Sequence, residues 1–276
     1  MKPHAGRDVG RYLRDLAVRF DELAPTVVAG VPDAAHQMRT TARRASACLA
    51  TFGTVLRLSH DADLRTELGW LTAELGAFRD AEVLATRLPG DHEVPVRVEQ
   101  ALSETLAQAA TDLRAALGSP RFTALPAALA AVGATAKPSP RRRDLRRAVR
   151  RGWQRTHRRY AAYLSASDER ERDEALHEVR KSLRRLRYAC DALGTSCGGR
   201  IVAGAEEAKS VQEVLGEHHD AVVSLSLLRG LAVAERDPAR LATYALLFDV
   251  ETTARDRALK RFEQAWPRLE PHFARR

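Results

Sequence analysis

Two stretches of this chain set a histidine and a row of arginines on one side of what reads as a helix. In the first, His36, Arg39 and Arg43 recur at spacings of three and four residues, with Arg44 at the flank. In the second, His177, Arg180, Arg184 and Arg187 recur at similar spacings, Lys181 joins them, and Arg185 takes the flank. A helix turns about 100° per residue, so each set gathers on one face. The chemistry open to such faces is anion binding. A guanidinium fork can donate two parallel hydrogen bonds to phosphate oxygens. Imidazole adds a neutral donor at pH 7, or a cation where a phosphate raises its pKa. Arg39 and Arg43 are like charges at i,i+4, as are Arg180 and Arg184. Each pair costs roughly a few tenths of a kcal/mol in an isolated helix. An anion converts that cost into binding energy.

A second element supports each face. Lys209, Gln212 and His219 share one side of a helix, with Gly216 and Asp220 beside them. In the first half Arg79 stands where the second half has His219. Gly76 and Gly216 are costly inside helices, and they allow close packing or close approach of a ligand. The segment Arg141–Arg159 holds ten arginines against one aspartate. Arg147, Arg151 and Arg158 recur there at helical spacing, as a further wall of an anion site would require. The plainer reading of that segment is a solvated basic surface.

The elements that must position these residues are helices. Ala, Leu, Arg and Glu, all strong helix formers, dominate the 276 residues, and there is a single isoleucine, Ile201. No run of alternating β-branched residues suggests a strand, so the expected class is all-α. Hydrophobic periodicity and Gly/Pro punctuation predict helices at about 6–29, 33–58, 61–88, 92–117 and 121–132, then 143–165, 172–194, 200–230 and 237–264. Asp33 is the expected N-cap of the second. Short connections imply antiparallel neighbours and therefore bundles. Opposite the basic faces lie apolar stripes: Met38, Ala42, Ala45, Leu49, Phe52 and Leu56 in the first half, and Val179, Leu183, Leu186, Cys190 and Leu193 in the second. His218 falls on an apolar side, where it packs or hydrogen-bonds.

The chain reads as a duplication. AAHQMRTTARRASACLATFG aligns with EALHEVRKSLRRLRYACDALG at an offset of 141, and ELGAFRDAEVL aligns with VLGEHHDAVVS at an offset of 140, pairing Gly76 with Gly216 and Asp80 with Asp220. The halves are 1–133 and 141–276, joined by a linker at 134–140 within ATAKPSPRRR. Their charges differ. Residues 1–140 hold 16 basic and 16 acidic side chains, whereas residues 141–276 hold 29 and 20, so the net charge of +9 lies entirely in the second half. That excess favours anionic partners.

Other classes are disfavoured. Cys48, Cys190 and Cys197 form no CxxC pair and read as reduced packing residues, with no cofactor or metal implied. No apolar run suits a signal peptide or a membrane span, so a cytoplasmic protein is expected. His177, His219-Asp220 and Asp249 follow the order of a metal-dependent HD phosphohydrolase. Arg79, at the place of His219 in the first half, is no ordinary metal ligand, and no phosphate loop or nucleophile–base pair appears. A basic nucleic-acid-binding protein is the other alternative. Aromatics are only 5% of the chain and do not interleave with the basic residues, so no base-stacking platform is evident.

HQMRTTARR and LHEVRKSLRRLRY, followed by LGAFRDAEV and LGEHHDAVV, resemble the CHAD family of histidine-containing α-helical domains, over nearly the whole chain. The resemblance implies one CHAD-like domain over 1–276, made of two pseudo-symmetric four-helix bundles with a basic central surface. It implies non-enzymatic binding of inorganic polyphosphate and association with polyphosphate granules, with granule proteins or polyphosphate-metabolising enzymes as further partners. By resemblance His36, Arg39, Arg43, Arg44, His177, Arg180, Lys181, Arg184, Arg185 and Arg187 would contact phosphates, and the side-by-side residues Arg79, Lys209 and His219 complete the candidate set. The first copy departs from the pattern at Thr40 and Ser46, which stand where the second has Lys181 and Arg187, so weaker binding by the first half is expected. No ExExK strand of the triphosphate-processing barrel found in many relatives is present, which points to a stand-alone module.

Overall fold

In the computed structural model, residues 5–58, 60–87, 96–136, 141–194 and 198–274 are described; Cys197, the break at Pro89 and Gly90, and the side chain of Asp80 lie outside them. Among the described residues all regular structure is helical. The elements are α1 (Ala5–Val28), α2 (Ala34–Leu56), α3 (Asp61–Arg87), α4 (Val96–Leu117), α5 (Pro120–Thr135), α6 (Arg142–Leu164), α7 (Glu169–Leu193), α8 (Gly199–Ala234), α9 (Pro238–Ala265), a 3-10 turn (Trp266–Arg268) and α10 (Glu270–Phe273). Contacts divide the chain into two compact units, Met1–Leu145 and Arg146–Arg276.

In the first unit α1 packs on α2 and α5, and α3 packs on α2 and α4. The apolar stripe of α2 is buried throughout, with Met38, Ala42, Ala45 and Phe52 fully enclosed. α1 and α5 approach through a pair of glycines. A Cβ added at Gly10 would fall 2.5 Å from Gly133 O, and one at Gly133 would fall 2.7 Å from Gly10 O. No larger residue fits that crossing. Arg14 Nη1 then donates to Gly133 O at 3.0 Å, and Phe20 meets Phe122 edge-on at 6.5 Å. Asp33 does precede α2, but it does not cap it. Its backbone is left-handed (φ 65°) with no cap bond, and its carboxylate accepts instead from Gln37 Nε2 at 3.2 Å.

In the second unit α8 packs on both α7 and α9. Val179, Leu183, Leu186, Cys190 and Leu193 are buried along α7. Asp168 caps α7 by accepting from Glu171 N at 2.8 Å, and Glu171 accepts from Ser167 N at 2.9 Å, a reciprocal pair that starts the helix three residues earlier than its periodicity suggests. Asp237 caps α9 through Ala239 N, with Pro238 at the first helical position. The core here is aromatic. Trp153 stacks on Trp266 and Phe273 with centroids 5.4 and 5.3 Å apart, and Tyr160 stacks on Trp266 at 4.1 Å. Tyr163 OH donates to Glu263 Oε1 at 2.8 Å, and this contact follows burial in holding the phenol well above its usual pKa. Cys48 and Cys190 are buried and are not joined in a disulfide, and burial raises the Cys48 thiol far above its ordinary pKa.

Candidate polyanion site

The seam between α7 and α8 gathers most of the candidate residues of the second unit. α7 presents His177, Arg180, Arg184 and Arg187, all half-buried, beside its apolar stripe. α8 presents Gln212, Gly216 and His219, separated by four and three residues and so on one face. The two imidazoles meet, with His177 and His219 centroids 4.8 Å apart and planes inclined by 41°. The Arg180 guanidinium lies over Gly216, where a Cβ would stand 3.7 Å from its Nη2.

His177 Nδ1, Arg187 Nε and Gln212 Nε2 are buried without a hydrogen-bond partner among the described residues. The arginine and glutamine nitrogens are donors, and the imidazole nitrogen donates in one tautomer. Leaving such a group unmet costs about 1–3 kcal/mol, so buried polar groups are nearly always satisfied. A ligand rich in acceptor oxygens would meet all three.

Burial lowers the pKa of His177, and His219, Lys181 and Arg180 lower it further, with Glu178 opposing. Burial likewise lowers that of His219, followed by Arg180, against a raising effect of Asp220. Both rings are therefore neutral donors at neutral pH. An anion between them would push the other way.

The remaining candidates lie at the margins. Lys181 is exposed and its Nζ donates to Glu178 Oε1 at 2.7 Å; this bond is the main reason the Glu178 carboxylate stays below its usual range. Arg185 is exposed on the flank of α7, and Lys209 is exposed on α8. His218 is buried, as its place in the apolar pattern suggests. Its Nε2 faces Asp173 Oδ1 at 3.4 Å. An ion pair there requires a protonated ring, and burial opposes this by driving the His218 pKa down to about 4. Burial also raises Asp173. The ring is neutral at pH 7.

The first unit repeats part of the arrangement between α2 and α3. Arg39 lies over Gly76, where a Cβ would stand 3.4 Å from Nη2 and 3.6 Å from Cζ. Arg43 and Arg44 are half-buried beside it, and His36 is exposed. Arg79 is engaged within α3 by Glu82. Thr72, at the position of Gln212, donates to its own helix at Leu68 O, 2.7 Å away.

Two residues outside the candidate set stand beside these helix faces. Gln212 is neutral, and only its place on the face of His219 marks it. Arg155 fills the gap in the Arg151–Arg158 row and is half-buried against α7, with its pKa lowered first by burial and then by Arg185, Arg151 and Arg158. Among the described residues, no three His, Cys, Asp or Glu side chains converge as metal ligands do.

The model of the CHAD domain family matches residues 11–229. The chain belongs to the CHAD family. Uncharacterized proteins from two strains of Mycobacterium tuberculosis are 32% identical to it over 273 residues, covering 94% of this chain and 50% of theirs, so the chain spans about half the length of the curated relatives it matches. Among solved structures, PptA from Streptomyces chartreusis superposes with a TM-score of 0.71 at 24% identity, over 95% of this chain and 99% of that one. The CHAD domain from the plant Ricinus communis gives 0.66 at 21% identity, over 98% and 92%. At these identities the likeness establishes the all-α CHAD fold. None of the described helices is long and apolar enough to cross a membrane.

Proposed function

We propose that this CHAD protein binds inorganic polyphosphate without catalysing a reaction, chiefly through the α7–α8 seam, and that it acts at polyphosphate granules. The observation that carries the reading is the convergence of Arg180, Arg184 and Arg187 with the unmet donors His177 Nδ1 and Gln212 Nε2. A phosphate chain supplies closely spaced acceptor oxygens and negative charge in one ligand. It needs no aromatic platform, and the two tryptophans of the second unit are committed to its core: Trp153 and Trp266 are 5% and 2% exposed. Single-stranded nucleic acid, which gains affinity from base stacking, gains nothing from these two rings. Granule proteins and polyphosphate-metabolising enzymes are the partners such binding would bring close.

The test is a titration of the purified protein with long-chain polyphosphate at near-physiological salt, with duplex DNA, single-stranded RNA and ATP as competitors. Tight binding that the competitors fail to displace is expected. Binding of every polyanion in proportion to charge, or preference for nucleic acid, would overturn the reading.

A further inference from the structure

α6 touches α7 through side chains near Gly152 and Thr156. A Cβ at Gly152 would lie 3.2 Å from Leu186 Cδ1, and Thr156 Oγ1 meets Ser182 Oγ at 2.9 Å. This contact brings Arg151, Arg155 and Arg158 of α6 beside Arg185 of α7. Arg155 is half-buried and feels the other three strongly enough for their charges, after burial itself, to depress its pKa. None of the four forms an ion pair among the described residues. Glu178, on the same helix as Arg185, is engaged by Lys181 at 2.7 Å and by Arg159 at 3.8 Å. A partly desolvated cation surrounded by three like charges is unfavourable in isolation, and an anion removes the conflict.

This seam is not the α7–α8 seam. Arg185 lies about 100–160° around α7 from Arg180, Arg184 and Arg187. A helix with its side chains is about 10–12 Å across, more than a tripolyphosphate can bridge.

We propose that the α6–α7 seam is a second, separate polyanion subsite, filled only by chains long enough to pass around α7, so that Arg151, Arg155, Arg158 and Arg185 confer selectivity for chain length. The proposal rests on the polyphosphate reading above.

The experiment compares tripolyphosphate with long-chain polyphosphate on the full chain, at several salt concentrations. The variant is Arg151→Gln/Arg155→Gln/Arg158→Gln, with circular dichroism as the check on folding. Its tripolyphosphate affinity should stay within about twofold, its long-chain affinity should drop at least about tenfold, and its long-chain salt dependence should flatten by about two counterions. Arg185→Gln, an exposed change on α7, should reproduce a weaker form of the same split, and it decides the matter if the triple variant misfolds. Unchanged long-chain affinity would overturn the proposal. Equal losses for both ligands would also overturn it, by merging the two seams into one site. A wild-type protein that binds neither ligand would fail the polyphosphate reading itself, a result visible before any variant is made.

Discussion

The α2–α3 and α7–α8 seams share one feature and differ in how their other polar residues are engaged. Both lay an arginine over a helix glycine: Arg39 over Gly76, Arg180 over Gly216. In the first seam Thr72 is bonded to its own helix and Arg79 to Glu82. In the second, Gln212 and His219 occupy those places, and Gln212 Nε2 is left without a partner. The difference extends to the neighbouring helix. Arg14, at an offset of 141 from Arg155, donates to Gly133 O, whereas Arg155 sits among arginines. Surplus positive charge matters for binding where the fold has not already spent it on internal partners, and Arg14 and Arg79 of the first unit are spent in that way.

The largest way to break this contrast is charge reversal. Arg180→Glu with Arg184→Glu should weaken long-chain polyphosphate binding about a hundredfold or more, on the scale of two charge-assisted hydrogen bonds. Arg39→Glu with Arg43→Glu should cost under about tenfold. Isothermal titration of both pairs decides, and the opposite ranking would reverse the assignment of the main seam. Helical circular dichroism should persist in both, since these side chains flank the apolar stripes.

Acid should separate the units next. His218 is buried and neutral, with a pKa near 4 in the fold and a value near 6.5 when unfolded. The unfolded chain thus binds the proton first. The associated stability is present above about pH 6.5 and is lost as pH falls towards 4, by an amount on the order of 2 kcal/mol. The raised pKa of Asp173 acts in the opposite sense at the lower end. The first unit has Phe78 at this position. Hydrogen exchange at pH 7 and 4.5 should show α7 and α8 losing protection before α2 and α3, and His218→Gln should flatten the trend.

Grafting sharpens the comparison from the other side. Thr40→Lys with Ser46→Arg gives the first seam the two cations it lacks, and should raise long-chain affinity by about fivefold in a fluorescence titration. The smallest effect belongs to Gly216→Ala. Its new methyl would make an ordinary 3.7 Å contact with Arg180, so the gain in helix propensity should raise stability by up to about 1 kcal/mol in urea unfolding, with affinity within about twofold. Gly10→Ala is the contrast: its methyl has no room against Gly133 O, and it should destabilise the first unit.

Much of this architecture follows from local pattern. The helix bodies were readable because apolar residues recur every three or four positions and Gly or Pro interrupts most junctions. The basic faces were readable because their spacing matches the helical repeat. What escaped depends on neighbours distant in sequence. α10 is four residues long and exists because Phe273 stacks on Trp153. Asp33 has the right residue type for a cap, yet its left-handed backbone turns the carboxylate away from the helix amides. Arg155 looks like any other member of a basic run until α7 is placed beside it, and Gln212 matters because its amide is buried without an acceptor.

The glycine notches beneath Arg39 and Arg180 have a thermodynamic consequence. Immobilising a free arginine side chain sacrifices about 1.5–2 kcal/mol of rotamer entropy. A guanidinium already lodged against a helix backbone has surrendered part of that freedom during folding, so less remains to be lost when an anion arrives. Calorimetry would register this as a smaller entropic penalty for these two arginines than for a freely rotating residue such as Lys209, and replacing either glycine with a bulky side chain would return the penalty to the binding step.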